Sequence, residues 1–257
     1  MNDADSTILL VDIGNSRVKW GIAKCNDNRI QIGGPFATHT ISSHEALSSL
    51  WGAISSPARI MVSNVAGLVI ASELTTWTQL HWGLAPQFVY STPKEYGVIN
   101  AYIHPEKLGV DRWVALIAAH HAYHGSVCVA DCGTAITVDA LDAEGKHLGG
   151  VIAPGLMVMR RSLAGGTHAL PVADGDYQYA LANETKAAIA SGTLQAAVGL
   201  IDRCVRETTS QLGSKPRLLL TGGDALTIAP LLESPVELRP NLILEGLLVI
   251  ADFTSEF

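Results

Sequence analysis

Asp131-Cys132-Gly133-Thr134-Ala135-Ile136-Thr137-Val138-Asp139 is a carboxylate at a strand end, a glycine turn, and a second strand following at once. The run before it, Ser126-Val127-Cys128-Val129-Ala130, is short and apolar, the pattern of a strand covered on both faces. Gly133 lacks a Cβ where the chain must turn tightly or let a ligand approach. Thr134 and Thr137 bring hydroxyls beside Asp131. Such a turn has the groups to hold a metal-bound phosphate, although Asp-x-Gly alone is also an ordinary turn.

The arrangement occurs twice. Leu9-Leu10-Val11-Asp12-Ile13-Gly14-Asn15-Ser16 again runs from apolar strand to Asp, one residue, Gly and small polar residues. Asp12 and Asp131 stand about 120 residues apart, one domain's length. An apolar strand followed by glycine recurs in Leu218-Leu219-Leu220-Thr221-Gly222-Gly223-Asp224. Internal duplication accounts for the repeat, and two related halves would set a phosphate-gripping turn on either side of a cleft. The halves are expected at 1–124 and 125–257, with the docking of the last helix, on the second half or back on the first, left open.

A chain of 257 residues with 48% hydrophobic and 16% charged residues has the composition of a globular protein. A net charge of −7 and a pI near 5.7 argue against a sequence-independent nucleic-acid grip, which needs clustered Lys and Arg. The acidic start Met1-Asn2-Asp3-Ala4-Asp5 lacks the basic-then-apolar pattern of a secretory signal. Leu242 to Phe253 is apolar but too short to span a bilayer. The expected location is the cytoplasm, where Cys25, Cys128, Cys132 and Cys204, which show no framework spacing, stay reduced.

Period-two runs predict strands at Arg17–Ala23 and Arg29–Ile32, a meander with the first strand. A helix opens at Ser43-His44-Glu45, capped by Ser42 or Ser43, and reaches Trp51. Arg59–Val65 and Gln87–Ser91 read as strands around a helix at Leu68–Trp82. Tyr96–Leu108 reads as loop and Asp111–His124 as helix. The second half repeats the programme: a hairpin closed at Ala143-Glu144-Gly145-Lys146, a strand at Gly149–Pro154 and a helix at Leu156–Leu163. A long helical pattern, Glu184–Leu212, invites a break near Gly192 or Gly199. A strand at Arg217–Leu220 and helices at Ala225–Leu232 and Asn241–Phe253 complete it. Meander followed by strand–helix–strand defines an α/β half-domain.

Leu108-Gly109-Val110-Asp111-Arg112-Trp113 puts a carboxylate and a guanidinium at a helix start. Asp111 there is either a cap, since anions favour that end, or a general base for a substrate hydroxyl with Arg112 steadying an anion. Gly149-Gly150-Val151-Ile152-Ala153-Pro154-Gly155 pairs glycines inside a strand pattern, a bulge or a ligand's approach. His120, His121, His124, Cys128 and Cys132 suggest a zinc site only at first sight. Cys128 and Cys132 lie roughly 13 Å apart along a strand, too far to share one ion. P-loop, dinucleotide-fold and nucleophile-elbow strings are all absent from the sequence.

Taken together, Asp12-Ile13-Gly14-Asn15-Ser16-Arg17-Val18-Lys19, Gly109-Val110-Asp111-Arg112, Asp131-Cys132-Gly133-Thr134-Ala135 and Gly149–Gly155 resemble the type III pantothenate kinase family. Thr185-Lys186-Ala187-Ala188-Ile189-Ala190-Ser191-Gly192 is similar to that family as well. The resemblance implies a duplicated ribonuclease H-like (actin-like ATPase) α/β fold, two mixed-sheet halves around a central cleft. It implies transfer of the ATP γ-phosphate to the primary hydroxyl of pantothenate, giving 4′-phosphopantothenate for coenzyme A synthesis. By position, Asp12, Ile13, Gly14, Asn15, Ser16, Arg17, Val18, Lys19 and Thr134 would contact ATP, and Asp111 would accept the proton. Tyr102, Gly109, Val110, Asp111 and Arg112 would meet pantothenate, joined by Thr185 from the neighbouring subunit of a homodimer with a shared site. Asp131 would ligate a monovalent cation, K⁺ or NH₄⁺, required beside Mg²⁺. His168 stands where the family pattern suggests a small residue.

Two other functions fit the same strings. One is a non-catalytic accessory or regulatory binding protein of that family, which loss of Asp111 or Asp131 would have favoured. The other is a sugar or acetate kinase, or a phosphatase, on the same fold, although such chains are usually longer.

Overall fold

A computed structural model describes residues 7–24, 29–173 and 180–254. The opening pentapeptide and Cys25 lie outside them. The chain forms two compact units, one ending at Ala122 and rejoined by the chain from Asn241, the other spanning Tyr123–Pro240.

In the first unit, β1 (Thr7–Ile13), β2 (Arg17–Lys24) and β3 (Ile30–Ile32) form the antiparallel meander. A short strand that the sequence pattern does not show, β4 (Phe36–Ala37), also pairs with β2. Helix α1 (His44–Trp51) is capped by Ser43, whose hydroxyl accepts the Ala46 N–H. Strand β5 (Arg59–Asn64) then joins β1 in parallel, and helix α2 (Leu68–Trp82) leads to β6 (Gln87–Phe88) beside β5. Strand order across the sheet is β3-β2-β1-β5-β6.

β1 is buried along nearly its whole length because helices cover both faces. Leu9, Val11 and Ile13 pack with Val18, Ile60 and Val62 against Trp51 and Trp77 from α1 and α2. The opposite face meets α3 (Val110–Ala122) and α7 (Leu242–Phe253), which also pack on each other. The last helix therefore belongs to the first unit.

Tyr96–Leu108, expected as plain loop, contains more order. A hairpin of β7 (Lys94–Glu95) and β8 (Val98–Ile99) turns through Tyr96 and Gly97, both at positive φ, and a 3₁₀ turn spans Pro105–Lys107. Strands of two residues are too short to print a period. The expected strand from Gln87 stops at Phe88.

The second unit repeats the first sheet. β9 (Val127–Cys132), β10 (Ala135–Leu141) and β11 (His147–Pro154) form the meander, and β12 (Arg217–Thr221) and β13 (Val236–Leu238) add in parallel. The order is β11-β10-β9-β12-β13, position for position that of the first sheet. The pairing of β10 with β11 shifts register at Ala140/Leu141, opposite Gly149, so a bulge occupies the paired glycines' strand. β13 was not legible in the sequence. The helix expected at Ala225–Leu232 ends as α6 (Ala225–Ile228) and a 3₁₀ turn, because Pro230 has no N–H to continue it.

α4 (Leu156–Gly166) follows β11, and α5 (Thr185–Leu212) runs 28 residues without the break that Gly192 and Gly199 suggested. Ile201, Val205, Leu194, Ala197 and Val198 bury one face of α5 against β9, β10 and β12. That packing outweighs about 1 kcal/mol of helix propensity lost at each glycine. Gly199 is exposed, and apart from its own turn of helix no described atom lies within 4 Å of where its Cβ would stand. Gly199→Ala is expected to stabilise the protein by roughly 0.5–1 kcal/mol, read as a higher urea midpoint at unchanged slope. A lower midpoint would mean that the position is crowded.

Candidate active site

In the first unit, the β1–β2 turn is fastened from outside itself. Gly14 N–H donates to Arg17 O at 3.0 Å, closing the turn. The Thr38 hydroxyl donates to Gly14 O at 2.6 Å, and Thr38 N–H to Ser16 O at 3.1 Å. Thr38 is buried, so the clasp leaves Asn15, Ser16 and Arg17 exposed at the tip. Thr38 has no marker in the sequence, for its partner lies 24 residues away. Ile13 and Val18 point into the core and offer only backbone to a ligand. Asp12, by contrast, pairs in register with Lys19 on one side and Ser63 on the other. Side chains paired across neighbouring strands share a face. Lys19, Asp12 and Ser63 thus form a row on the face that α3 and α7 cover.

The Asp111 end of α3 is held by the preceding loop. Ser91 hydroxyl donates to Leu108 O at 2.8 Å. Asn100 donates to Thr92 O and Pro105 O, both at 3.2 Å, and accepts Tyr102 N–H at 3.0 Å. The buried Arg112 guanidinium donates to Tyr102 Oη at 2.8 Å and lies 5.6 Å from its ring centroid. The guanidinium of Arg112 is thus joined to Tyr102, while its main-chain N–H donates to Asp111 Oδ1 at 2.8 Å. The helix begins at Val110, one residue before the expected start, with Trp113 N–H donating to Gly109 O. A Cβ on Gly109 would stand 2.7 Å from Asp111 Oδ1, so glycine leaves that carboxylate its room. Asp111 is thus both a helix-end anion and a half-buried carboxylate whose Oδ1 is held by a main-chain N–H. Asn100, which organises this loop, escaped the sequence reading because a lone Asn in a loop is unremarkable.

In the second unit, Asp131 is the last residue but one of β9 and lies between two hydroxyl residues, Thr137 on β10 and Thr221 on β12. Gly133 N–H donates to Ala135 O at 3.0 Å, and Gly155 N–H to Thr134 O at 2.9 Å, leaving the Thr134 side chain exposed. Gly155 is tightly fitted, since a Cβ there would stand 2.1 Å from Gly133 O. The Gly222-Gly223-Asp224 loop closes on the same turn. Asp224 N–H donates to Cys132 O at 2.9 Å, and a Cβ on Gly222, at φ +94°, would meet both Cys132 O and the Asp131 carboxylate within 2.5 Å. The sequence showed this loop only as a third glycine after a strand. Its place beside Asp131 follows from the β9–β12 pairing.

Thr185 opens α5 on a groove of about 610 Å³ between α4 and α5, lined by Met159, Leu163, Leu170, Ile189 and Gly192. The buried Arg160 ties the two helices together, donating through Nε to Thr193 Oγ1 and through Nη1 to Ala173 O, both at 3.2 Å. His168 is exposed.

Two sheets with the same strand order, each with an aspartate as the last residue but one of its first strand, are those of the actin-like ATPase fold. A Campylobacter jejuni protein described as a Baf family transcriptional activator shares that fold at a TM-score of 0.59 and 21% identity, over 97% of this chain and all of that one. The ethanolamine utilization protein EutJ of Carboxydothermus hydrogenoformans matches at 0.51 and 13%, covering 96% and 89%. Within this fold the chain belongs to the type III pantothenate kinase family, whose pattern matches residues 8–207. The type III pantothenate kinase of Nitrosococcus oceani is 41% identical over 97% of this chain and 95% of its own. That of a Polaromonas species is 37% identical over 95% and 97%.

Burial pushes the Cys132 thiol up to about 12, with Asp131 and Asp224 adding their charge. Burial also raises Cys128 to about 11, against a partial offset from its hydrogen bond to Thr208. Only the thiolate alkylates, so at pH 8 both are expected to resist iodoacetamide in the native protein and react once it is unfolded. Peptide mapping checks this. Rapid native labelling of Cys132 would show that the Asp131 turn is open.

Proposed function

We propose that this chain, a pantothenate kinase, uses Asp111 as the base that orients and deprotonates the pantothenate primary hydroxyl as the ATP γ-phosphate is transferred. The observation that carries this is the Tyr102–Arg112–Asp111 constellation. It holds a half-buried carboxylate by the main-chain N–H of Arg112, one residue from a guanidinium that is fixed on Tyr102 and suited to the carboxylate of pantothenate. Phosphoryl transfer asks for positioning and charge neutralisation more than covalent chemistry. A rigid loop pinned by Asn100 and Ser91 supplies positioning, with Gly109 and Val110 offering backbone to the substrate.

The Asp12–Lys19 turn is assigned to the ATP phosphates, with Asn15, Ser16, Arg17 and the main chain of Ile13, Gly14 and Val18 around them. Thr134, exposed on its own glycine turn, is assigned a further ATP contact. The donors around Asp12 suit Mg²⁺: a carboxylate 7% exposed and a buried hydroxyl in the same row, oxygen ligands for a hard cation. Bound Mg²⁺ would neutralise phosphate charge. Asp131, with Thr137 and Thr221 beside it, offers oxygens alone and is assigned the monovalent cation, K⁺ or NH₄⁺.

A homodimer is supported by the apolar α4–α5 groove carrying Thr185, and by exposed Ile152 on β11 and Val158 and Leu163 on α4. A surface of this kind is usually covered by a partner, and Thr185 would then serve the neighbouring subunit's pantothenate. No described helix is long and apolar enough to cross a membrane, and a cytoplasmic location suits coenzyme A synthesis.

Asp111→Asn is expected to fold normally and lose about 10²–10⁴ of kcat, the range of a general base, in an assay of pantothenate-dependent ADP release. Retained turnover would remove Asp111 from that role. Arg112→Met is expected to raise the pantothenate KM more than it lowers kcat. Asp131→Asn should demand more K⁺ for half-maximal rate, and an unchanged K⁺ response would move the cation elsewhere.

A further inference from the structure

Ser63 is the last residue but one of β5, fully buried, and its hydroxyl has no hydrogen-bond partner among the described residues. A buried hydroxyl left alone costs free energy, and native proteins rarely keep one without a reason. The indole N–H groups of Trp20, Trp51 and Trp113 are also without acceptors among the described residues, but an indole is mostly apolar surface. Serine brings little except its hydroxyl. An alanine would fill the same place in β5 and satisfy everything its backbone requires.

The position of that hydroxyl is specific. Ser63 pairs in register with Asp12 on the parallel neighbour, so both side chains leave the sheet on one face at one level. The second unit repeats the choice: Thr221 of β12 pairs with Asp131 of β9 in the same parallel relation. Both halves thus put a hydroxyl residue beside the strand-end aspartate, on the strand that joins it in parallel.

We propose that Ser63 is a positioning residue for the hydrated divalent cation that arrives with the nucleoside triphosphate at Asp12. Its hydroxyl finds its partner in that cation's water shell and holds the shell against the carboxylate. This rests on the assignment of the β1–β2 turn to the ATP phosphates. It goes beyond that assignment by giving β5 a part in metal binding. The hydroxyl has no protein partner among the described residues, and the cation's water shell supplies one.

The test exploits this opposition of signs. Ser63→Ala removes an unpartnered buried hydroxyl, so the ligand-free protein is expected to melt at the same temperature or higher. Titration calorimetry of Mg²⁺-ATP should show affinity weakened about tenfold, the scale of one lost hydrogen bond near a charge. ATP binding in excess EDTA should not change. Unchanged Mg²⁺-ATP affinity overturns the proposal, leaving Ser63 to an ordinary buried water. A lower melting temperature with equal losses with and without Mg²⁺ also overturns it, as a structural role. Asp12→Asn serves as the second arm. If Asp12→Asn loses the Mg²⁺-dependent part of binding while Ser63→Ala keeps it, only the serine inference fails. If Asp12→Asn binds Mg²⁺-ATP like the parent, the phosphate assignment of the turn fails with it.

Discussion

A carboxylate at the end of a strand covered on both faces is costly to bury and is tolerated only where its neighbours are polar. That constraint organises each unit. β1 and β9 run through apolar surroundings and emerge at Asp12 and Asp131. The residues in register beside them are Lys19 and Ser63 in one sheet, Thr137 and Thr221 in the other. The residues that follow these aspartates turn the chain away, and distant segments fasten each turn. The Thr38 clasp does this for the first unit. The close contacts of Gly155 and Gly222 do it for the second.

The Asp111 end of α3 in the first unit is built on another principle. Asp111 and Arg112 sit on a helix, a rigid support, but their orientation comes from an irregular loop with few regular hydrogen bonds of its own. Asn100 replaces the missing ladder by donating to two carbonyls and accepting one N–H. Arg112 then spans helix and loop through Tyr102. A kinase that must present a flexible hydroxyl to a phosphate gains from such a fixed frame, because correct orientation lowers the barrier without added chemistry.

The same sheet programme has been kept in both units while the surroundings diverged. The first unit fills its core with tryptophans that meet edge to face, Trp51 against Trp20 and Trp77. The second relies on one long helix laid over the sheet. Duplication thus preserved the strand order and the aspartate turns, where geometry is demanding, and left the packing free. Hydrophobic side chains of suitable volume are interchangeable in a way that a carboxylate at a strand end is not.

What the sequence determined by itself is what local physics governs. Apolar runs of strand length, Asp-x-Gly turns and helical spacing are printed within a few residues, so both meanders, most helices and the duplication could be read directly. The family strings Asp12–Lys19, Gly109–Arg112 and Asp131–Ala135 were legible for the same reason. Tertiary structure decided what depends on pairing between distant segments. It placed Ser63 beside Asp12, Thr38 under Gly14 and the Gly222–Asp224 loop against Asp131, and it returned the last helix to the first unit. It also kept α5 whole across two glycines and ordered the Tyr96–Leu108 segment. In each case register or burial, set by residues far away in the chain, overruled or supplied what local propensity could not express.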